Sequence, residues 1–161
     1  MKTDEAKGTV IDASGLILGR MASIVAKRLL QGESIIIVNA EKTILSGRRL
    51  SRVKEAKAFL DIGHPGKGPF HPRRPDQIVR RAVRGMLPRR QPKGANALRL
   101  LRVFLGMPHE LRTAPLQTIP AAHAGKLKCP YITIEELAKQ IGFKPVGEWN
   151  VKHNEGSVNE R

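Results

Sequence analysis

The hydrophobic pattern near the start of the chain predicts a strand, a helix and a second strand. Thr9–Asp12 is a short apolar stretch that runs into a turn at Ala13–Gly15. Between Leu18 and Leu30 the apolar residues recur with the spacing of one helix face. They are Leu18, Met21, Ala22, Val25 and Leu29. Ser34–Asn39 is an almost unbroken β-branched run, which is typical of a parallel strand covered on both faces. Together these elements predict a βαβ unit with a right-handed crossover.

Weaker patterns continue the prediction through the middle of the chain. Thr43–Ser46 predicts a short strand, and Leu50–Leu60 predicts a basic helix. The residues of this helix expected to face the core are Val53, Ala56, Lys57 and Leu60. Ala95–Leu101 predicts a helix, and Arg102–Leu105 predicts the last strand, which ends at Gly106.

The C-terminal part has little periodicity until residue 133. Thr133 and Glu136 match a capping box, in which each side chain binds a backbone amide at the start of a helix. The helix that they predict runs to about Ile141 and stops at Gly142. The polar tail from Lys144 to Arg161 is expected to be extended or mobile unless a partner holds it.

The stretch from His64 to Gly94 combines a glycine- and proline-rich arm with an amphipathic helix. Pro75 suits the first position of that helix, and Pro88 would end it. Its apolar face comprises Ile78, Val79, Ala82, Val83, Met86 and Leu87. At about 100° per residue, Arg80, Arg81 and Arg84 project from the opposite side. Glycine inside a helix lowers stability by roughly 1 kcal/mol relative to alanine. We therefore hypothesise that a close approach to the backbone explains the presence of Gly85.

Composition indicates a polyanionic partner. The chain has 161 residues, enough for one domain with a core, and 40% of them are hydrophobic. Its 29 Lys and Arg oppose 14 Asp and Glu, which gives a formal charge of +15. Between His64 and Arg112 only Asp76 and Glu110 oppose a largely arginine-based cluster. Arginine favours bidentate contacts to phosphate, so nucleic acid is the leading partner and an anionic membrane surface the second.

Several function classes find no support in the residues. A lone Cys129 offers neither a disulfide nor a cysteine-based zinc site, and no apolar run is long enough to span a bilayer. The five histidines show no metal-ligand spacing, and no carboxylate pair suggests acid–base catalysis. The start of the chain lacks a signal-peptide core, so the chain is interpreted as cytoplasmic. We expect no cofactor, no metal and no small-molecule substrate.

The type of RNA contact follows from the residue types. Aromatic residues make up only 4% of the chain, which argues against a base-stacking sheet of the RRM or OB type. Arginines and the backbone amides of Gly66, Gly68 and Gly94 suit the phosphates of folded, largely double-helical RNA. His64 and His71 are interpreted as hydrogen-bond donors or stacking groups toward nucleotides. No dimer signature accompanies the arginine helix, which argues against a major-groove DNA reader.

A glycine turn between the first strand and helix leaves one enzymatic alternative. Gly15 and Gly19 stand where nucleotide-binding enzymes place phosphate loops, but neither the dinucleotide nor the P-loop spacing is present. The favoured interpretation is that Gly15 makes a turn and Gly19 allows close helix–sheet packing. The helix N-terminus and Arg20 could still hold an RNA phosphate.

Several motifs in series resemble the L-thirteen family of large-subunit ribosomal proteins, in its archaeal and eukaryotic branch. The first motifs are Val10–Ala13 with Gly15, Leu18–Ser23, Val38–Lys42 and Ser46–Gly47. The arm matches at His64–Pro65, Lys67–Pro69, His71, Arg73 and Pro75. The closest match is Val83–Pro88, followed by Lys93–Gly94, Ala97–Leu98 and Gly106. The resemblance covers roughly Val10 to Pro108.

This resemblance implies a three-layer α/β/α domain on a four-stranded, mainly parallel sheet. It implies a non-catalytic constituent of the large ribosomal subunit that binds its rRNA and joins early in assembly. Together with the interpretation of the residues, this resemblance predicts a core at 1–110, which includes a basic arm at 63–75. It also predicts a C-terminal extension at 111–161 with one helix and a polar tail. The alternatives are an mRNA-binding translational regulator and, more remotely, a nucleotide-binding enzyme. Neighbouring ribosomal proteins are expected partners; a membrane is not.

The candidate rRNA-binding residues are cations and histidines of the arm, the arginine helix and the turn after it, with one arginine near the start of the chain. They are Arg20, His64, Lys67, His71, Arg73, Arg74, Arg80, Arg81, Arg84, Arg89, Arg90 and Lys93. We predict that they neutralise phosphates on one flank of the domain.

Overall fold

The computed structural model describes residues 8–64 and 66–145 and contains six strands and five α-helices within them. The strands are β1 (Thr9–Asp12), β2 (Ile35–Val38), β3 (Ile44–Ser46), β4 (Leu101–Val103), β5 (Leu116–Gln117) and β6 (Tyr131–Thr133). The helices are α1 (Leu18–Leu30), α2 (Arg49–Asp61), α3 (Pro75–Gly85), α4 (Pro92–Arg99) and α5 (Ile134–Gln140).

Four strands form a parallel sheet in the order β4-β2-β1-β5. All four residues of the central strand β2 are buried, as expected for a β-branched run covered on both faces. β1 pairs with β2 over its whole length, from Thr9 opposite Ile35 to Asp12 opposite Val38. The predicted α/β class with a four-stranded parallel sheet is confirmed.

The fourth strand of the sheet is one that the sequence did not predict. Arg102–Leu105 was expected to be the last strand, but β5 and β6 both follow β4, so that prediction was wrong. β5 has two residues, both exposed, and therefore leaves no hydrophobic pattern to detect. β3 forms as predicted, but it pairs with β6 in a separate antiparallel sheet.

The main core lies between the parallel sheet and helices α1, α3 and α4. Side chains that alternate along β1 and β2, such as Ile11, Ile35 and Ile37, point into this core. Their neighbours Val10, Ile36 and Val38 form a smaller cluster with Leu111 on the opposite face. The layer on that face is thin in the described chain: a short 3₁₀ turn at His109–Leu111 and adjoining loop residues cover the cluster.

Most helix predictions agree with the structure, with two errors in burial. α1 has the predicted bounds, and every residue of its predicted stripe is buried. α2 buries none of its residues, and Lys57, expected to face the core, is exposed. In α3, Val79, Val83 and Leu87 are buried as expected, whereas Met86 is 44% exposed. α3 ends at Gly85, before the predicted boundary at Pro88, so exposed Met86 and buried Leu87 both follow the helix.

The hypothesis of a close approach at Gly85 was wrong for contacts within the described chain. A Cβ added there would meet nothing within 4 Å, and the residue is exposed. The close helix–sheet packing expected at Gly19 was wrong for the same reason. Gly15 does make the predicted turn, with a φ of +69°.

One of the two hydrogen bonds of the predicted capping box of α5 is confirmed: the Thr133 hydroxyl accepts a hydrogen bond of 3.3 Å from the Glu136 amide. We expect Thr133→Ala to lower the free energy of unfolding by about 1 kcal/mol, because it leaves that amide without its side-chain acceptor. Urea denaturation followed by circular dichroism measures this change. Thr133→Ser keeps the hydroxyl and serves as the control; an unchanged midpoint for Thr133→Ala would show that the cap contributes no stability.

The C-terminal part packs on the rest of the molecule as far as the structure describes it. β5 joins the parallel sheet, β6 pairs with β3, and α5 contacts α2 and α3. The predicted polar tail lies mostly beyond residue 145, outside the described residues. The division of the chain at residue 110 stays a prediction.

Candidate nucleic-acid interface

The arm contains a compact turn beside α2. The amide of His64 donates to the Gly68 carbonyl, and the Gly68 amide donates back to the His64 carbonyl at 2.8 Å. Gly66 donates its amide to His64 Nδ1 at 3.1 Å. Gly68 has a φ of +82°, a conformation that favours glycine. These hydrogen bonds give the glycine-rich arm a local structure that its composition did not predict.

The amides of three glycines were expected to bind phosphate, and this expectation was wrong. Gly66 and Gly68 donate to His64, and Gly94 donates to the Gln91 carbonyl at 3.1 Å. Each amide therefore already has an acceptor inside the protein. The groups of this region that remain open to an anion are therefore side chains.

Part of the arm and one side of α3 form a groove of about 440 Å³, here called the arginine groove. Its lining includes Phe70, His71, Gln77, Arg80, Arg81 and Arg84. The three arginines lie on the side of α3 away from buried Val79 and Val83, as the helical periodicity predicts. Arg80 and Arg84 are four residues apart and half-buried. Neither forms a hydrogen bond or ion pair in the part of the chain that the structure describes.

Two other arginines of this region have partners inside the protein. Arg74 binds the carboxylate of Asp76 through Nε at 3.1 Å and Nη2 at 3.2 Å. Arg81 Nη1 lies 2.6 Å from His71 Nδ1. A guanidinium can only donate, so His71 Nδ1 is the acceptor in this contact. His71 also packs against Phe59, with ring centroids 5.7 Å apart. Both pairs fix the geometry of the groove and its rim.

The remaining candidate residues lie around the groove or away from it. His64 and Arg73 line a neighbouring hollow of about 450 Å³, which shares Phe70 and His71 with the groove. Lys93 lines a separate hollow beside Lys27 of α1. Arg20, Lys67, Arg89 and Arg90 are exposed, and none of them lines the groove. The structure thus brings Arg80, Arg81, Arg84 and His71 together, with His64 and Arg73 adjacent.

The turn that carries Arg89 and Arg90 packs closely on α4. A Cβ at Gly94 would lie 2.6 Å from the Pro88 carbonyl carbon and closer still to its oxygen. Gly94 is buried and forms part of the first turn of α4. The glycine therefore permits the contact between the start of α4 and the Pro88–Gln91 turn.

Sequence reasoning missed the exposed apolar side chain at the groove and assigned no RNA contact to the basic helix α2. Phe70 is 77% exposed. Its exposure could not be predicted, because one aromatic residue in a proline-rich stretch has no periodicity to assign it. Arg48, Arg49, Lys54 and Lys57 are exposed at the start of α2 or along it. The basic composition of this helix, already noted from the sequence, was the available signal for them.

In the glycine turn that suggested a nucleotide enzyme, the amides from Ser14 to Ile17 already have acceptors, whereas those of Gly19 and Arg20 in the first turn of α1 have none among the described residues. The amides of Gly15, Leu16 and Ile17 donate to the carbonyls of Lys42, Ala13 and Ala122. The amide of Ser14 donates to Asp12. Burial raises the pKa of Asp12, but hydrogen bonds from Asn39 and Ser14 outweigh it and hold the pKa below its usual value. Asp12 thus remains ionised and ties the ends of β1 and β2 together.

Another cation outside the groove serves the fold. Arg28 at the end of α1 binds Glu33 with contacts of 2.6 and 2.7 Å, and Thr9 of β1 donates to the same carboxylate. The hydrogen bond from Arg28 lowers the pKa of Glu33, with a further contribution from Thr9. Arg28 is therefore not available as a free cation for RNA.

Comparisons with known proteins identify the family. A profile of the family described as Ribosomal protein L13 matches residues 6–110. The chain is 43% identical over 137 residues to the large ribosomal subunit protein uL13 of Methanococcoides burtonii, covering 84% of this chain and 99% of that protein. It is 45% identical over 140 residues to the protein of the same name from Archaeoglobus fulgidus, covering 86% and 90%.

The chain belongs to the ribosomal protein L13 family. The uL13 protein of Methanosarcina barkeri gives similar agreement, with 46% identity over 138 residues. The predicted membership in the L-thirteen family of large-subunit ribosomal proteins is confirmed, and the similar proteins named here are archaeal. The family is one of structural, non-enzymatic proteins, so the nucleotide-binding enzyme is set aside. Within the described residues, no helix is long and apolar enough to cross a membrane.

Proposed function

We propose that this structural ribosomal protein binds the rRNA of the large subunit through the arginine groove and the adjoining arm. The proposal is carried by the guanidiniums of Arg80 and Arg84, which have no hydrogen-bond or ion-pair partner among the described residues. Half-buried cations without a carboxylate partner lack the ion pairing that usually offsets the cost of removing a charge from water. Phosphates of a bound RNA would supply it.

The same region has the charge distribution that RNA binding requires. Asp76 is the one buried carboxylate among the described residues, and Arg74 already neutralises it. The chain as a whole carries a formal net charge of +15, which favours an anionic partner such as RNA. Each phosphate that a Lys or Arg neutralises releases condensed counterions, which makes the binding favourable and salt-dependent. The remaining candidates, Arg20, Lys67, Arg73, Arg89, Arg90 and Lys93, would extend this footprint around the groove.

Binding to large-subunit rRNA is expected to fall steeply with salt. With about six to ten phosphate contacts, affinity should drop by about three to five orders of magnitude between about 50 mM and about 200 mM salt. Filter-binding titrations on protein-free large-subunit rRNA measure the slope of log K against log salt. A slope near zero would contradict phosphate neutralisation. Small-subunit rRNA as competitor separates specific binding from general attraction to RNA.

An early role in assembly follows if the chain binds rRNA without help from other proteins. We expect it to bind the protein-free rRNA directly and to remain with large subunits during sedimentation in high salt. Release from the subunits at salt concentrations that leave other ribosomal proteins bound would favour a free-standing regulator of messenger RNA instead.

A further inference from the structure

Phe70 is placed where a nucleic acid base could reach it. The residue lies in the arm and lines the arginine groove on one side and the neighbouring hollow on the other. A Cβ at Gly68 would be 3.3 Å from two carbons of the Phe70 ring, so the ring lies against the backbone of the arm turn. The ring is nevertheless 77% exposed. The ring thus contacts the arm turn while most of its surface stays open.

The residue after Phe70 anchors this part of the arm to two helices. His71 bonds to Arg81 of α3 and packs on Phe59 of α2. Rigid aromatic groups stack on bases at a lower entropic cost than mobile ones. The anchoring of His71 therefore prepares the neighbouring ring for stacking.

Hydrogen-bonding groups in the same groove match those of a nucleotide. Arg80 and Arg84 offer guanidinium donors that have no partner among the described residues. Gln77 donates its Nε2 to Asp76 at 3.1 Å, which leaves Oε1 as an acceptor. The groove volume of about 440 Å³ falls within the roughly 300–1,000 Å³ of sites that hold small organic molecules.

We propose that the arginine groove binds one unpaired nucleotide of the rRNA, with its base stacked on Phe70 and its phosphate held by Arg80 and Arg84. This inference rests on the proposed function, because it names the part of the rRNA that occupies the proposed binding site on the protein. The paired bases of a duplex are stacked on each other and cannot offer a face to the ring. Recognition of duplex shape alone would give an exposed phenylalanine nothing to bind.

The test compares base reactivity in complexes of large-subunit rRNA with the wild type and with Phe70→Ala. Dimethyl sulfate and a carbodiimide reagent report the exposed edges of unpaired bases, and hydroxyl radicals report the backbone. We expect an unpaired nucleotide protected by the wild type to become reactive with Phe70→Ala. The backbone footprint should remain. Affinity should fall about five- to 150-fold, which corresponds to the loss of one base–aromatic stack.

Three controls separate stacking from structure. Phe70→Tyr keeps an aromatic ring and should restore the protection. Leu50→Ala removes another apolar side chain, 85% exposed on α2, and should change neither protection nor affinity. The melting temperature of Phe70→Ala should match that of the wild type, because so exposed a ring contributes little to the core.

The outcomes distinguish the two proposals. If the wild type gives no footprint on the rRNA, the proposed function fails. If the wild type gives a footprint but Phe70→Ala leaves every base reactivity unchanged, rRNA binding stands and the nucleotide site is refuted. Protection that is lost with Phe70→Ala and not restored by Phe70→Tyr would also refute stacking.

Discussion

The double variant Arg80→Ala, Arg84→Ala is expected to bind large-subunit rRNA about a hundredfold more weakly than the wild type at moderate salt. Each arginine should contribute at least one charge-assisted hydrogen bond to phosphate, worth about 1.5 kcal/mol or roughly tenfold in affinity. The slope of log K against log salt should become less negative by about 1.4 to 1.8, since two counterion-releasing contacts are lost.

The fold should tolerate this change. Neither guanidinium has a hydrogen-bond or ion-pair partner in residues 8–64 and 66–145, so no internal contact of that kind is broken. Two like charges four residues apart on a helix repel each other by about 0.2–0.5 kcal/mol. The free energy of unfolding should therefore stay the same or rise slightly, which urea titration can show. A variant that loses both RNA affinity and stability would mean that the arginines support the fold.

A matched control removes two arginines from the other face of the sheet. Arg102 of β4 is in register with Ile36, whose side chain lies in the smaller cluster away from α3. Arg112 follows Leu111 of the same cluster. Arg102→Ala with Arg112→Ala lowers the net charge by the same amount and should weaken binding much less. Equal losses from the two double variants would mean that net charge, not the groove, determines the affinity.

A charge-conserving variant separates attraction from geometry. Lysine is a point charge, whereas the guanidinium is a planar group that can hold a phosphate with two parallel hydrogen bonds. Arg80→Lys with Arg84→Lys should keep the salt slope and recover only part of the affinity. Full recovery would show that the groove needs charge alone.

The sequence predicted those features that depend on local periodicity. The bounds of β1 and α1 and the outward arginines of α3 follow from patterns within one element. β5 could not be predicted, because its two exposed residues join the sheet only through pairing with β1. The opposite burial of Met86 and Leu87, which both follow the end of α3, could not be predicted from the period of that helix.

The candidate site shows the same division between local and long-range information. Composition and spacing located its cations, but they could not show which ones already have partners. Arg74 is bound by a carboxylate two residues away, and Arg81 by a histidine ten residues away. The glycine amides were misjudged because their acceptors depend on the three-dimensional path of the arm and of the turn before α4. Within α3, Arg80 and Arg84 have no partner among the described residues, whereas one Nη of Arg81 is bound to His71.

The second large effect is expected at Gly94. Its Cβ would have to lie within 2.6 Å of the Pro88 carbonyl carbon, a distance that real Cβ atoms do not adopt. The obstacle is backbone, so it cannot rotate away as a flexible side chain would. We expect Gly94→Ala to lower the free energy of unfolding by about 1–3 kcal/mol, despite the better helix propensity of alanine.

Gly85→Ala is the matched control for Gly94→Ala, since it makes the same replacement at the end of a neighbouring helix. A Cβ at Gly85 meets nothing within 4 Å in the described chain, so the change should be neutral or stabilise by up to about 1 kcal/mol. Thermal and urea unfolding of both variants measure the difference. A Gly94→Ala protein as stable as Gly85→Ala would show that the Pro88 turn moves away at no cost.

The displacement caused by Gly94→Ala should also affect the proposed RNA-binding surface. To accommodate the new methyl group, the Pro88–Gln91 turn must shift, and Arg89 and Arg90 must shift with it. We therefore expect Gly94→Ala to weaken rRNA binding even below its unfolding temperature, whereas Gly85→Ala keeps the wild-type position of the turn. If Gly94→Ala is destabilised but binds rRNA with wild-type affinity, Arg89 and Arg90 do not contact the RNA, and the footprint ends at α3.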